Sequence, residues 1–119
     1  MTAYGAPMRI GIFVGDVGDG TVDGYIAAAR TAQEQGFHDY WTPQVFGHDA
    51  LTLLAIIGRE VPDIGLGTSV VPTYPRHPMM LASQALTTNA ASDGRLILGI
   101  GLSHQVVIEG MCRAGLSNA

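Results

Sequence analysis

Residues 64–78 read IGLGTSVVPTYPRHP, and the fold is decided there. The first half is a strand pattern. Ile64, Leu66, Val70 and Val71 are apolar, and only the small Gly65, Gly67, Thr68 and Ser69 stand between them. The second half is a stiff polar connector with Pro72, Pro75 and Pro78, an aromatic (Tyr74), a cation (Arg76) and an imidazole (His77). An apolar strand that stops at a rigid loop, just ahead of a helix, is how α/β proteins build the rim on which they place chemistry. The glycines and hydroxyls at this strand end would also let a flat ligand come close to the backbone. Spacing alone fits a stiffened connector equally well.

The same alternation continues on both sides. Upstream, RIGIFV (9–14) reads as a first strand buried on both faces, and GDVGDG (15–20) as turn chemistry. Thr21 is placed to cap a helix from Val22 to about Gln35, with Asp23 in the first turn where the helix dipole favours an anion. Val22, Tyr25, Ile26, Ala29 and Ala32 form its apolar stripe, and Gly36 is the expected left-handed stop. FHDYWT (37–42) is the second strand. Asp49 is placed to cap a second helix, Ala50 to about Arg59, with Leu51, Leu54, Ala55 and Gly58 inward. Downstream, Pro78 opens a third helix to about Ala91, with Met79, Leu81, Ala82, Ala85 and Leu86 as its apolar content. RLILGI (95–100) is a fourth strand, and a short amphipathic piece covers 105–111. The order βαβαβαβ(α) implies parallel strands. Two architectures fit: an open doubly wound sheet, or part of a (βα)8 barrel, of which four units are half. A complete barrel takes roughly 250 residues, and this chain has 119, enough for a single domain.

Composition excludes several function classes. Charged residues are 13% of the chain against 47% hydrophobic, and the net charge is −4. The six basic residues are all Arg and are scattered, so no basic patch offers itself to nucleic acid. No apolar run reaches the about 18 residues that span a bilayer. Residues 1–7, MTAYGAP, read as a flexible N-terminus without the features of a secretory signal. A single cysteine, Cys112, allows no internal disulfide and fits a cytoplasmic protein. So little charge implies that part of the surface is covered by more protein, which points to an oligomer or to a piece of something larger, and self-association as a homodimer or higher oligomer is expected.

Among chemistry-bearing residues, Gly99-Ile100-Gly101-Leu102-Ser103-His104 follows a strand end. It lacks the third glycine of a dinucleotide fingerprint and reads instead as a glycine-rich rim able to meet an anion or a ring edge. His48, His77 and His104 each fall at or just past the C-terminal end of a strand, where a parallel sheet gathers its loops, so they are the acid–base candidates. His38, at the start of a strand, reads as structural. No histidine or cysteine spacing suits a metal, and no serine elbow or carboxylate pair is present.

Taken together, FHDYWTPQVFGHDALTLLA (37–55), GTSVVPTYPRHPMMLASQALT (67–87) and GRLILGIGLSH (94–104) resemble the luciferase-like monooxygenase family, and most of all its branch that uses the deazaflavin coenzyme F420, typical of actinobacteria. The likeness covers about residues 8–111, and the tail 112–119 does not continue the pattern. The resemblance implies the N-terminal half of a TIM barrel, with the cofactor ring at the C-terminal mouth. It implies a non-proline cis peptide at Ser69–Val70 and hydride transfer between F420, or alternatively FMN, and a small organic substrate. By the same resemblance Thr68, Ser69, Val70, Gly101, Leu102 and Ser103 would meet the cofactor. Some relatives carry an Asp-His pair after the second strand, where this chain has Gln44 and Val45, and Gln44 would instead hydrogen-bond a ring carbonyl. Where some relatives place a Glu after the fourth strand, His104 stands, the best candidate for proton transfer. With strands five to eight absent from these 119 residues, three outcomes stay open: two copies complete a ring, the sheet is covered in an oligomer, or activity is impaired. A self-associating half barrel that binds without turnover is the alternative reading.

Overall fold

A computed structural model describes residues 8–15, 20–45, 47–102 and 110. The chain runs β1 (Gly11–Phe13), α1 (Val22–Glu34), β2 (Asp39–Thr42), α2 (Ala50–Glu60), β3 (Gly65–Thr68), β4 (Val71–Pro72), α3 (Pro78–Ala91), β5 (Leu96–Ile97) and β6 (Ile100–Gly101). β1, β2, β3 and β5 form one parallel sheet in that order, and β4 pairs with β6 in a second, two-stranded parallel sheet. This is the parallel βα repeat expected of a half barrel.

The helices begin where local chemistry tells them to. The Thr21 hydroxyl accepts the Gly24 amide at 3.0 Å, and Asp49 Oδ2 accepts the Thr52 amide at 2.9 Å. Pro78 occupies the first turn of α3, whose cap is His77. Gly36 follows α1 at φ 88°, a conformation that costs a glycine nothing.

Strand register divides the sheet into two faces. Ile12, Tyr40, Leu66 and Leu96 are neighbours across the four strands and turn toward the helices. There they meet Tyr25, Ala29 and Ala32 of α1 and Leu53, Leu54 and Ile57 of α2, all buried. Each large aliphatic side chain buried in this way contributes about 1.5–3 kcal/mol. Phe13, Trp41, Gly67 and Ile97 share the opposite face. The Trp41 indole lies across Gly67 so closely that a Cβ there would stand 2.3 Å from its ring. On the same face Arg9 donates to both oxygens of the nearly buried Asp39, at 3.0 and 3.3 Å.

Three expectations need correction. β1 is not buried on both faces: Phe13 is 59% exposed, because nothing among the described residues covers the side of the sheet away from the helices. Strands three and four are each interrupted rather than continuous, at residues 69–70 and 98–99. Finally, Met79 and Leu86, named above as apolar content of α3, are not part of what the helix buries. They point outward, and the helix packs through Leu81 and the buried Thr88, whose hydroxyl donates to the Leu51 carbonyl of α2 at 2.9 Å. His38 lies one residue before β2 and is exposed.

Candidate active site

The C-terminal ends of β2, β3, β4 and β6 meet at one end of the fold, and the described residues that follow β2 and β4 form its mouth. Strand three changes course between Thr68 and Val71, where the Ser69–Val70 peptide is cis. On the far side of that break, β4 and β6 extend the rim: the Val71 amide donates to the Gly99 carbonyl and the Thr73 amide to the Gly101 carbonyl, both at 2.9 Å. The break is tied to its neighbours on both sides. The Ser69 amide donates to the Thr42 carbonyl at 2.9 Å, and the Gln44 amide to the Val70 carbonyl at 3.3 Å.

The rim residues fall into two kinds. Thr68 is fully buried, and its hydroxyl both donates to the Gly99 carbonyl at 2.8 Å and accepts the Gly99 amide at 2.9 Å. It thereby fastens β3 to the chain between β5 and β6. Ser69, Val70 and Leu102 are instead exposed, Val70 at 38% and Leu102 at 64%. Val70 lies over Gly101: a Cβ on Gly101 would stand 2.7 Å from its Cγ2, so any larger residue there would collide with it or displace it. Ser69, Val70, Gly101 and Leu102 therefore lie together at the mouth as a small, uncharged, largely exposed surface. Ser103, His104 and Cys112 lie outside the described residues.

Gln44 and Arg76 are the polar centre of the loops. Gln44 Oε1 accepts the Ala50 amide at 2.7 Å, the first residue of α2, and Arg76 Nη2 at 3.0 Å. The Arg76 guanidinium also binds the Asp49 carboxylate and donates to Gln84 Oε1 of α3 at 2.7 Å. Burial alone would raise the Asp49 carboxyl. The Thr52 hydroxyl and amide and the Arg76 charge outweigh it and hold Asp49 below the usual carboxylate range. The loop after β2 is thus clamped to the loop after β4. Sequence spacing revealed Asp49 as a cap and Arg76 as a loop cation, but nothing in it paired them across 27 residues.

Two histidine candidates are engaged in holding the loops. A His48 ring nitrogen meets the Gly20 carbonyl at 2.7 Å, and the ring stands edge-on to Tyr25 with centroids 5.9 Å apart. His77 Nδ1 accepts the Met79 amide at 3.1 Å. Beside His48, a pocket of about 150 Å³ is lined in part by Tyr25, Thr42, Pro43 and Val45. Among the described residues no cluster of His, Cys, Asp or Glu could hold a metal ion, and no helix is long and apolar enough to cross a membrane.

Known proteins share this fold. The family model described as luciferase-like monooxygenase matches residues 8–117. A putative coenzyme F420-dependent oxidoreductase of Mycobacterium tuberculosis is 36% identical over 105 residues, which are 88% of this chain and 30% of that protein. The 5,10-methylenetetrahydromethanopterin reductase of Methanolobus tindarius is 33% identical over 84 residues, 70% of this chain and 26% of that one. The chain thus spans about a third or less of the curated relatives it matches. Among solved structures, the monooxygenase RslO1 of Streptomyces bottropensis superposes with a TM-score of 0.80 at 24% identity, over 93% of this chain and 38% of that one. The F420-dependent tetrahydromethanopterin reductase of Methanopyrus kandleri gives a TM-score of 0.78 at 23% identity, over 89% and 30%. These two likenesses establish the fold, and the sequence matches establish the family: this chain belongs to the luciferase-like monooxygenases, as a parallel βα half of their TIM barrel.

Proposed function

We propose that this chain carries the cofactor-ring side of an F420-dependent oxidoreductase, with FMN as the alternative cofactor, acting on a small organic substrate. The observation that carries the reading is the rim, where exposed Val70 lies over Gly101 beside Ser69 and Leu102. A small, uncharged surface fits one side of a planar ring, and a side chain on Gly101 would collide with Val70 and disturb that surface. The name of the mycobacterial relative supports F420, and a type II Baeyer-Villiger monooxygenase of Pseudomonas putida, solved in complex with FMN, has the same fold at 18% identity and a TM-score of 0.80.

When bound, the deazaflavin supplies hydride chemistry. The residues of this chain have the supporting roles. Ser69, Val70, Gly101 and Leu102 would hold the ring, Gln44 would hydrogen-bond its edge, and Ser103 would extend the contact. His104 would exchange a proton with the substrate. Thr68 acts through Gly99, keeping the rim in shape. Hydride transfer by the chain alone is expected to be impaired, because it spans 30% of the length of its mycobacterial relative. Copies of the chain would associate through the open face of the sheet.

Fluorescence titration of purified protein with F420, and separately with FMN, tests the reading. Saturable quenching of F420, weakened by replacing Gly101 with Val, is the expected result. No quenching by either cofactor would leave a half barrel without a redox role.

A further inference from the structure

Both lone pairs of Gln44 Oε1 are in use, one on the Ala50 amide at 2.7 Å and one on Arg76 Nη2 at 3.0 Å. Turning the amide over would set its NH2 against two donors, so its orientation is fixed by its surroundings. Arg76 cannot easily yield, because Asp49 holds the second Nη2 N–H, Gln84 holds an Nη1 N–H, and its side chain is only 14% exposed. Gln44 Nε2 is left with no partner among the described residues, while the backbone of the same residue touches the rim through the Val70 carbonyl at 3.3 Å.

We propose that Arg76 is a positioning residue: it locks the Gln44 amide so that the mouth beside Val70 presents an N–H donor to a carbonyl oxygen of the bound ligand. The ligand class follows from the chemistry. An acceptor on a planar ring suits this position, and an ammonium or a second amide N–H does not. Identifying that ring as a deazaflavin or flavin rests on the function proposed above. The forked guanidinium matters because one side chain must reach Gln44, Asp49 and Gln84 at once, which a lysine ammonium cannot do in the same geometry.

The test has two independent readouts. The first is the ¹⁵N heteronuclear NOE of the Gln44 side-chain NH2, with exposed Gln35 as the mobile reference. Arg76→Lys should drop the Gln44 value toward that of Gln35. The second is F420 titration of wild type, Gln44→Glu, Arg76→Lys, Gln44→Ala and the Gln44→Ala/Arg76→Lys double variant. Gln44→Glu keeps an oxygen for Ala50 and Arg76 but loses the donor. It should fold as wild type and bind F420 about tenfold more weakly, the worth of one good hydrogen bond. Arg76→Lys should weaken binding by a similar factor and have no further effect once Gln44 is Ala. The proposal is overturned if Arg76→Lys leaves the Gln44 NOE unchanged, or if it costs as much in the Gln44→Ala background as in wild type. If the wild-type chain binds neither F420 nor FMN while Arg76→Lys still loosens Gln44, the functional reading fails and the clamp stands.

Discussion

The Tyr40 hydroxyl is buried between the sheet and the helices without a hydrogen-bond partner among the described residues. Leaving such a group unpaired costs about 1–3 kcal/mol, which offsets part of what the ring gains by burial. Tyr40→Phe should therefore be neutral or stabilising in urea melts, and a loss of 1 kcal/mol or more would mean that the hydroxyl has a partner (about the lower end of that cost). Burial, aided by nearby Tyr25, pushes the Tyr40 phenol far above its ordinary value. Asp49 is shifted the other way. Burial is the largest influence on it, but the Thr52 hydrogen bonds and Arg76 together hold the carboxyl low. A carboxyl whose folded pKa is depressed contributes stability above its ordinary value and loses it as pH falls through the lowered one. The acid limb of a plot of Tm against pH should accordingly flatten in Asp49→Asn. An unchanged acid limb would show that the carboxylate does not distinguish folded from unfolded chain.

At the scale of the elements, the turns between strand and helix were legible and the ties between distant elements were not. Thr21, Asp49, Pro78 and Gly36 announce their helices because each acts on backbone within four residues. Arg95 shows the opposite case. As the first residue of RLILGI it reads as strand, yet its guanidinium donates to the carbonyls of Gly58 at 2.7 Å, Val61 at 2.9 Å and Ile64 at 2.7 Å, and its Nε to Ser92 at 2.6 Å. It gathers the C-terminal end of α2, the entry to β3 and the end of α3 on one cation, and no local pattern encodes that. Arg95→Ala should lower stability by about 2–4 kcal/mol, since several carbonyls lose a charged donor together. A loss below about 0.5 kcal/mol, the level of an ordinary surface substitution, would mean that water replaces the guanidinium. α3 misled for a related reason. Its apolar residues run around the whole helix, so no stripe identified the inner face, and Thr88 rather than Met79 or Leu86 is the buried residue. The rim was partly legible: the small residues 67–69, 99 and 101 marked a close approach, but the fastening of Thr68 to Gly99 depends on two strands meeting.

For the molecule as a whole, the parallel sheet is covered on one face only among the described residues. Phe13 at 59% and Ile97 at 41% exposure flank Trp41 on the open side, and among the described residues the sheet ends at β1 and β5. Apolar surface left in water favours association. Sedimentation velocity should show concentration-dependent self-association that Ile97→Lys shifts toward monomer. A wild-type chain that stays monomeric as concentration rises would contradict an interface on this face. The proposed function requires the mouth of the half barrel to take a planar redox ring. Titration of ¹⁵N-labelled protein with F420, followed through backbone amides, tests that directly. Shifts concentrated at Ser69, Val70, Gly101 and Leu102, with the core strands undisturbed, are the predicted result. Saturable shifts confined to residues away from this mouth, or none at any residue, would contradict it.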